Sequence, residues 1–361
     1  MIVIGDLHLG IKAFDRDICQ NHINYLKTVI DYSAEKDDKM IFQLGDIFNN
    51  RQVANIFFME QVKELFEYLK AKNVVMYSLL GNHDIFWRES REVSLVQHFE
   101  TLYPKNFKVF KEKDDFEYFD KTIYVVPWLV KGEGLSQSEL KNKDMVFGHL
   151  EIAGFEMAKG HYDERSTLSE KFFKKLNLPV LSGHYHIRNV KGLVKYLGTP
   201  YQLNWGDFNE IKGFYILDKD LNLEFIENDI TPKHIKLVFN QSNKKPLEIK
   251  GLTKIIRCDL KDISKYFELL KNSYVKFLVN CSEDSSYEEY IFELQKAGVK
   301  LEVLNNQKLN ELIEFNSDSS GNIKPSKDII LDYIKENRPE LIELALELFT
   351  ECDTESSSYL S

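Results

Sequence analysis

The sequence predicts an α/β (α+β) protein with two packed sheets, helices outside them, a small α/β domain and a final helix pair. Two observations predict the packed sheets. Short apolar runs alternate with helical patterns over the first 150 residues, and the pattern becomes richer in strands from about 106 to 227. With 361 residues, of which 43% are hydrophobic, the chain can form two domains with a sizeable core.

The first sheet is predicted from three apolar runs that alternate with helices. Residues 2–5, 40–44 and 74–80 are expected to be strands. A helix should follow the first strand, and another should cover roughly 54–71. The first of these helices should turn one apolar face inward, formed by Ile18, Ile23, Leu26, Val29 and Ile30. Ligands gather at the carboxyl ends of strands in open α/β sheets, so the polar residues that follow these strands should meet at one edge.

The second sheet is predicted from later apolar runs, and two of these are also followed by polar strings. The runs are 122–128, 145–148, 180–183, 193–198 and 213–218. Packing this sheet on the first, with helices outside, is the simplest way to bury both apolar faces.

The remaining chain is predicted to contain a smaller domain and a terminal helix pair. Prolines and a polar run around 230–251 suggest a boundary, and 252–304 has a strand, helix, strand, helix, strand pattern. The predicted segments are a main domain (1–230), a small α/β domain (231–310), a flexible linker (311–326), a helix pair (327–352) and a disordered tail (353–361). The helix pair is short and follows a linker, so we expect its apolar face to bind another protein.

Charge and cysteine content limit the function. The net charge is −10, but residues 231–310 hold 14 basic and 10 acidic side chains, and 311–361 hold 4 and 12. The acidity is therefore concentrated at the C-terminus, while residues 231–310 are mildly basic. This distribution weakens the objection that the net negative charge raises against a nucleic-acid partner, without removing it. The four cysteines are far apart, which argues against disulfides and thiolate zinc sites. No signal peptide or membrane span is predicted, so we expect a cytoplasmic protein.

Five short strings carry the chemistry: GDLH (5–8), GD (45–46), GNHD (81–84), GHLE (148–151) and GHYH (183–186). Each begins with a glycine at a predicted strand end, where the chain must turn tightly. Together they supply seven candidate metal ligands, Asp6, His8, Asp46, Asn82, His149, His184 and His186. Carboxylate and imidazole donors without thiolate favour manganese, iron or zinc over magnesium alone.

These donors suit a pair of divalent ions that cut a phosphate ester. One ion can activate water while both stabilise charge on the phosphate oxygens. Asp46 has no second ligand beside it, so we expect it to bridge the ions. The expected ligands of one ion are Asp6, His8 and His186, and those of the other are Asn82, His149 and His184.

His83 lies between a predicted ligand and a carboxylate, which leaves it free to face the substrate. We expect it to give a proton to the leaving oxygen, with Asp84 holding its ring. Any one of the strings is weak evidence, but five in order at strand ends are strong evidence. His22, His98, His161 and His234 lack such a context, and we interpret them as ordinary histidines.

Together these motifs resemble the calcineurin-like metallophosphoesterase superfamily, and within it the SbcD-type DNA repair nucleases, including those of T-even-like phages. The resemblance is carried by GDLHLG, GDIFNNR, VPW, GHLE, GHYH, GTPYQLNWGD (198–207) and GFYILD. The resemblance is strong over residues 1–227. Beyond them it rests only on the predicted order of a small domain followed by a helix pair. Asn49 departs from the pattern, since relatives often have histidine in that stretch, so any phosphate contact by that histidine is in doubt here.

The resemblance implies a four-layer αββα sandwich with a capping domain and two Mn²⁺ ions. It implies a DNA exonuclease on duplex ends and endonuclease on single strands. The implied partners are DNA, an SbcC-like coiled-coil ATPase bound by the C-terminal helices, and a second copy in a homodimer. Two alternatives stay open. A phosphatase of small or protein phosphomonoesters could use the same motifs, and a DNA-end scaffold without catalysis is disfavoured because its site should have lost some of the metal ligands.

Overall fold

The computed structural model describes residues 1–158, 160–240, 245–252, 254–280 and 286–305. The predicted linker, helix pair and tail, residues 311–361, lie outside the described part of the chain. The chain divides into two compact units. The first comprises 1–235, 251–254 and 268–274, and the described part of the second lies within 236–250, 255–267 and 275–305. The domain boundaries drawn from the sequence stay predictions.

The first half of unit 1 alternates strands and helices, as predicted. Its elements are β1 (Ile2–Ile4), α1 (Ile11–Phe14), α2 (Arg16–Ala34), β2 (Met40–Gln43), α3 (Ile56–Lys72), β3 (Val75–Leu79), β4 (Ile85–Trp87), β5 (Ser90–Ser94), α4 (Leu95–Leu102), β6 (Phe107–Phe110), β7 (Asp114–Tyr118) and β8 (Lys121–Val126). The Asp15 side chain caps α2 by accepting the N–H of Ile18 at 2.9 Å. Asn55 caps α3 in the same way. The β4–β5 hairpin and α4 were not predicted.

The second half of unit 1 is richer in strands. Its elements are β9 (Met145–His149), β10 (Glu156–Ala158), β11 (His161–Tyr162), α5 (Glu170–Lys174), β12 (Val180–Gly183), β13 (Asn189–Lys191), β14 (Val194–Tyr196), β15 (Gly213–Leu217) and β16 (Leu223–Glu227), with a 3-10 turn at Trp205–Asp207. The two six-stranded sheets have the orders β16-β15-β1-β2-β3-β6 and β13-β14-β12-β9-β8-β7.

The two sheets pack face to face through large apolar side chains. Phe42 of β2 meets Phe147 of β9 edge to face, with ring centroids 4.8 Å apart. Val3, Leu79 and Leu181 lie in the same buried cluster. Helices α2 and α3 cover the outer face of the first sheet, and a cluster that includes Phe173 of α5 covers that of the second. The predicted sandwich with helices outside is confirmed.

Parallel strand pairing brings the motif-bearing strand ends to one edge of this sandwich. Strands β1, β2 and β3 run parallel in the first sheet, and β9 and β12 run parallel in the second. Gly183 is paired with His149, so the fourth and fifth strings begin side by side. This pairing positions the site, because all five strings follow strands at the same edge.

The second unit contains a five-stranded sheet in the order β19-β18-β17-β20-β21. The remaining elements of the described residues are β17 (Lys233–Phe239), β18 (Leu247–Lys250), β19 (Ile256–Cys258), a 3-10 turn (Ile263–Tyr266), α6 (Phe267–Lys271), β20 (Ser273–Val279), α7 (Tyr287–Lys296) and β21 (Leu301–Asn305). Strands β17 and β18 lie within 230–251, where only a boundary was expected. Within the described ranges, no helix has both the length and the apolar character needed to cross a bilayer.

Candidate metal centre

The first group of predicted ligands converges at the ends of β1 and β12. His8 Nε2 lies 2.9 Å from His186 Nε2, and Asp6 Oδ2 lies 4.0 Å and 3.9 Å from these two nitrogens. Asp6 and His8 are buried, whereas His186 is more open. Atoms that share one ion at roughly 2.1 Å are separated by about 3–4 Å, so this group can hold a cation.

The second group converges at the ends of β3, β9 and β12. Asn82 Oδ1 lies 3.1 Å from His149 Nε2 and 3.0 Å from His184 Nδ1. The two rings meet edge to face, with centroids 5.2 Å apart. These three donors therefore face a common point and can hold a second cation.

Asp46 lies between the two groups. Its Oδ2 is 3.7 Å from His8 Nε2 and 3.4 Å from His149 Nε2. Its other oxygen, Oδ1, accepts the backbone N–H of His83 at 2.7 Å. One carboxylate oxygen therefore faces both groups, which is the arrangement that a bridging ligand needs.

Hydrogen bonds on the far side of two rings orient their metal-facing nitrogens. His149 Nδ1 donates to the carbonyl oxygen of Leu44 at 2.7 Å, which directs Nε2 to the centre. His184 Nε2 lies 3.3 Å from Glu151 Oε1, which directs Nδ1 to Asn82. Outer contacts of this kind select the tautomer of a ligating histidine.

The backbone around the centre is strained. His8, Asp46 and His184 have φ values of 42°, 58° and 89°, in the left-handed region that non-glycine residues rarely adopt. Such strain persists only where the surroundings enforce it and is concentrated at functional sites.

The glycines of the strings are required for more than one reason. Gly45 turns the chain with φ 95°, as expected from its place at a strand end. Gly81 has no left-handed φ, but a Cβ there would lie 2.1 Å from Asp46 Oδ1. Its small size lets the Asp46 carboxylate approach the backbone.

The charges of the centre shift one another's pKa values. Burial, together with the charge of Asp46, raises the pKa of Asp6 to about 7. Burial would lower the pKa of His149, but the Asp46 and Asp6 carboxylates raise it to about 9. Burial lowers the pKa of His186 to about 4 and that of His8 well below its usual value. The rings of His186 and His8 are therefore neutral at pH 7, and the neutral ring is the form that binds a metal.

The prediction that the Asp84 carboxylate holds the ring of His83 is wrong. The Asp84 carboxylate accepts backbone N–H groups instead, from Asp46 at 2.7 Å, Gly81 at 2.9 Å and Phe48 at 3.1 Å. The ring of His83 is held by the carbonyl oxygen of Asn49, 2.8 Å from Nδ1. Three buried N–H groups need acceptors, and the short Asp84 side chain reaches all of them, so it cannot also reach the imidazole.

His83 faces the same space as the first group. A ring nitrogen of His83, an oxygen of Asp46 and a ring nitrogen of His8 lie within 4.8 Å of one another. The rings of His83 and His8 meet edge to face, with centroids 4.9 Å apart. His83 is half-buried, so it remains accessible to a substrate.

Two buried acidic residues that support the site were missed by the sequence reasoning. Asp207 pairs with Lys212 at 2.7 Å, and the same ammonium donates to the carbonyl oxygen of His186 at 2.7 Å. Asp163 accepts the hydroxyl of Tyr185, which lies between two predicted ligands, at 2.7 Å. Asp207 lies in the GTPYQLNWGD string, which could have pointed to it, but no signal in the sequence marked Asp163.

The four histidines interpreted as ordinary do not join the donor clusters found among the described residues. His22, for example, is buried and stacks on Tyr201, with ring centroids 3.6 Å apart. His98 and His161 are exposed.

We predict that Glu151→Gln weakens metal binding without unfolding the protein. The neutral amide would hold His184 Nε2–H less strongly, so the dissociation constant for a divalent ion, with Mn²⁺ as the probe, should rise about tenfold. Higher concentrations of Mn²⁺ should still fill the site. Calorimetric titrations with Mn²⁺ would measure this, with the exposed Glu164→Gln as the matched control. Identical titrations for both variants would show that Glu151 does not position His184.

The chain matches known proteins in two comparisons. The family described as calcineurin-like phosphoesterase matches residues 1–188. Exonuclease subunit 1 of Enterobacteria phage T4 is 27% identical over 359 residues, which cover 96% of this chain and 98% of the phage protein. The family match contains all the predicted ligands together with His83 and Asp84.

Proposed function

Because this chain belongs to the calcineurin-like phosphoesterase family, we propose that it is a DNA nuclease that hydrolyses phosphodiester bonds with two divalent metal ions. The observation that carries the proposal is the placement of Asp46 Oδ2, which lies within 4 Å of ring nitrogens from both donor groups. The likeness to an exonuclease subunit over nearly the whole chain supports a nucleic-acid strand as the substrate, and we propose that this strand is DNA.

The donor set fits the proposed ions. Asp6, His8 and His186 would hold one ion, Asn82, His149 and His184 the other, and Asp46 both. Mixed carboxylate, amide and imidazole donors suit manganese, which is our proposed metal. When bound, the ions would activate water and stabilise charge on the phosphate oxygens.

The chain's own residues would orient the substrate and move one proton. The Asn49 carbonyl accepts from His83 Nδ1, which orients the ring and leaves Nε2 to face the substrate. We propose that Nε2–H protonates the leaving oxygen as the ester bond breaks. Asp84 would act indirectly, by holding the backbone of Asp46 and Gly81 in place.

We propose that the protein removes nucleotides from duplex ends and cuts single strands internally. It would work in the cytoplasm, which is the host's if the protein is encoded by a phage, in a complex that processes DNA ends for double-strand-break repair and recombination. A coiled-coil ATPase would bind the helix pair that the sequence predicts over 327–352, and the nuclease would pair with a second copy. The support for a complex is that the similar phage protein is itself named as a subunit.

Substrate preference and metal dependence test this function. With Mn²⁺, the purified full chain should cut labelled duplex ends and closed single-stranded circles. It should hydrolyse bis(p-nitrophenyl) phosphate faster than p-nitrophenyl phosphate. EDTA should abolish all of these activities and added Mn²⁺ should restore them. A strong preference for the monoester, with no cutting of DNA, would instead identify a phosphatase.

A further inference from the structure

A cavity of about 480 Å³ opens beside the second donor group. His149 and Glu151 lie at the end nearest the proposed ions, and the rest is formed by Leu150 and by residues within 128–135 and 165–172. This volume is within the range of pockets that bind small ligands. None of the roles proposed above uses this space.

The walls of the cavity suit a flat, largely apolar group. Trp128, Leu135, Leu150 and Phe172 contribute aromatic and aliphatic surface. The Trp128 ring is placed beside the metal centre, with its centroid 5.1 Å from that of His184. An indole so close to a cleavage site can stack on a nucleobase, and stacking on aromatic side chains is sequence-tolerant.

Arg165 and Ser166 form a polar rim of the cavity, and hydrogen bonds hold their backbone in place. The backbone N–H groups of Arg165 and Ser166 donate to Asp163 Oδ1 at 2.8 Å and 3.1 Å. The other Asp163 oxygen accepts the hydroxyl of Tyr185, from the GHYH string, at 2.7 Å. The rim is therefore tied to the strand end that carries His184, so the two keep their relative positions.

Arg165 is well placed to contact a phosphate. Arg165 is exposed, and it is among the residues that line both this cavity and a second one of about 710 Å³. A guanidinium on a residue shared by two cavities can bind the phosphate that joins two successive nucleosides.

We propose that this cavity holds the base of the nucleotide next to the phosphate being cut, with Trp128 stacking on the base and Arg165 binding the neighbouring phosphate. This inference rests on the proposed nuclease function. The metal centre at one end suits a phosphate ester, and the apolar side chains of the walls suit a flat group attached to it. A nucleotide within a DNA strand meets both requirements.

Filling the cavity tests the inference. Leu135→Trp places a large ring in the space, and Leu102→Trp makes the same change on α4 at a side chain that is 68% exposed and outside the cavity. Cleavage of a single-stranded oligonucleotide with Mn²⁺ should fall at least about tenfold in Leu135→Trp and stay unchanged in Leu102→Trp. Thr167→Trp, at an exposed position on the opposite wall, should act like Leu135→Trp and does not disturb a buried side chain.

A single-stranded oligonucleotide of the same length, with abasic residues, distinguishes loss of the contact with the base from damage to the metal centre. The unaltered protein should cut the abasic strand at least about tenfold more slowly than the normal strand. Both cavity variants should cut the abasic strand at the rate of the unaltered protein. Equal cutting of normal and abasic strands by the unaltered protein, or normal cutting by both variants, would overturn the inference. If the unaltered protein cuts neither strand, the proposed function fails instead.

Discussion

Replacing His83 with alanine is expected to slow DNA cleavage by about 100- to 10,000-fold while metal and DNA binding persist. The change removes the ring that contacts the Asn49 carbonyl and would supply a proton. It keeps the backbone N–H of His83, which donates to Asp46 Oδ1 at 2.7 Å. The bridging carboxylate should therefore keep its position, so the loss should lie in the chemical step.

Single-turnover cleavage and calorimetric titration with Mn²⁺ measure the two parts of this prediction. His98→Ala is the matched control, because His98 is an exposed residue of α4. Unchanged cleavage in His83→Ala would refute the proposed proton transfer. Loss of one bound ion would mean that His83 is a ligand, which its position near His8 and Asp46 would allow.

Asp84→Asn is expected both to destabilise the protein and to abolish most cleavage. The carboxylate accepts three buried backbone N–H groups, two of them on Oδ2. An amide has only one acceptor atom, so its NH₂ group would face at least one of these donors. An unsatisfied buried donor costs about 1–3 kcal/mol, and displacement of Asp46 by about 1 Å can cost roughly 100-fold in rate.

Urea denaturation and single-turnover cleavage at pH 8 would check this prediction. Burial and the charge of Asp46 raise the pKa of Asp84 to about 7, so at pH 8 the comparison is between a charged carboxylate and an amide. Asp218→Asn is the control, because Asp218 also accepts backbone N–H groups, from Asp220 and Asn222, but in an exposed turn. If both variants unfold and cleave alike, Asp84 does not hold the centre together.

Local patterns predicted much of this fold and centre. Apolar runs and helical spacing located β1, β2, β3, α2 and α3, because each depends on a few consecutive residues. The strings at strand ends identified the donors that converge, because parallel strands end at one edge of a sheet. The β4–β5 hairpin was missed, since its short strands have no clear alternation.

The supporting contacts were harder to predict because they join residues far apart in the chain. Asp84 was assigned to its neighbour His83, but its partners Asp46 and Phe48 lie nearly 40 positions earlier. Asp163 and Lys212 look like surface charges in the sequence. Their burial follows only from where distant strands bring Tyr185 and His186.

The sequence by itself determined which donors are available and in what order the strands present them, because residue type and local periodicity are properties of short segments. Only the tertiary structure decided that a single Asp46 oxygen faces both donor groups, that the Asn49 carbonyl holds His83, and that a cavity borders His149. These features arise where strand ends and loops from both sheets meet. Contacts of that kind depend on packing across the whole sandwich and are not encoded in any one segment.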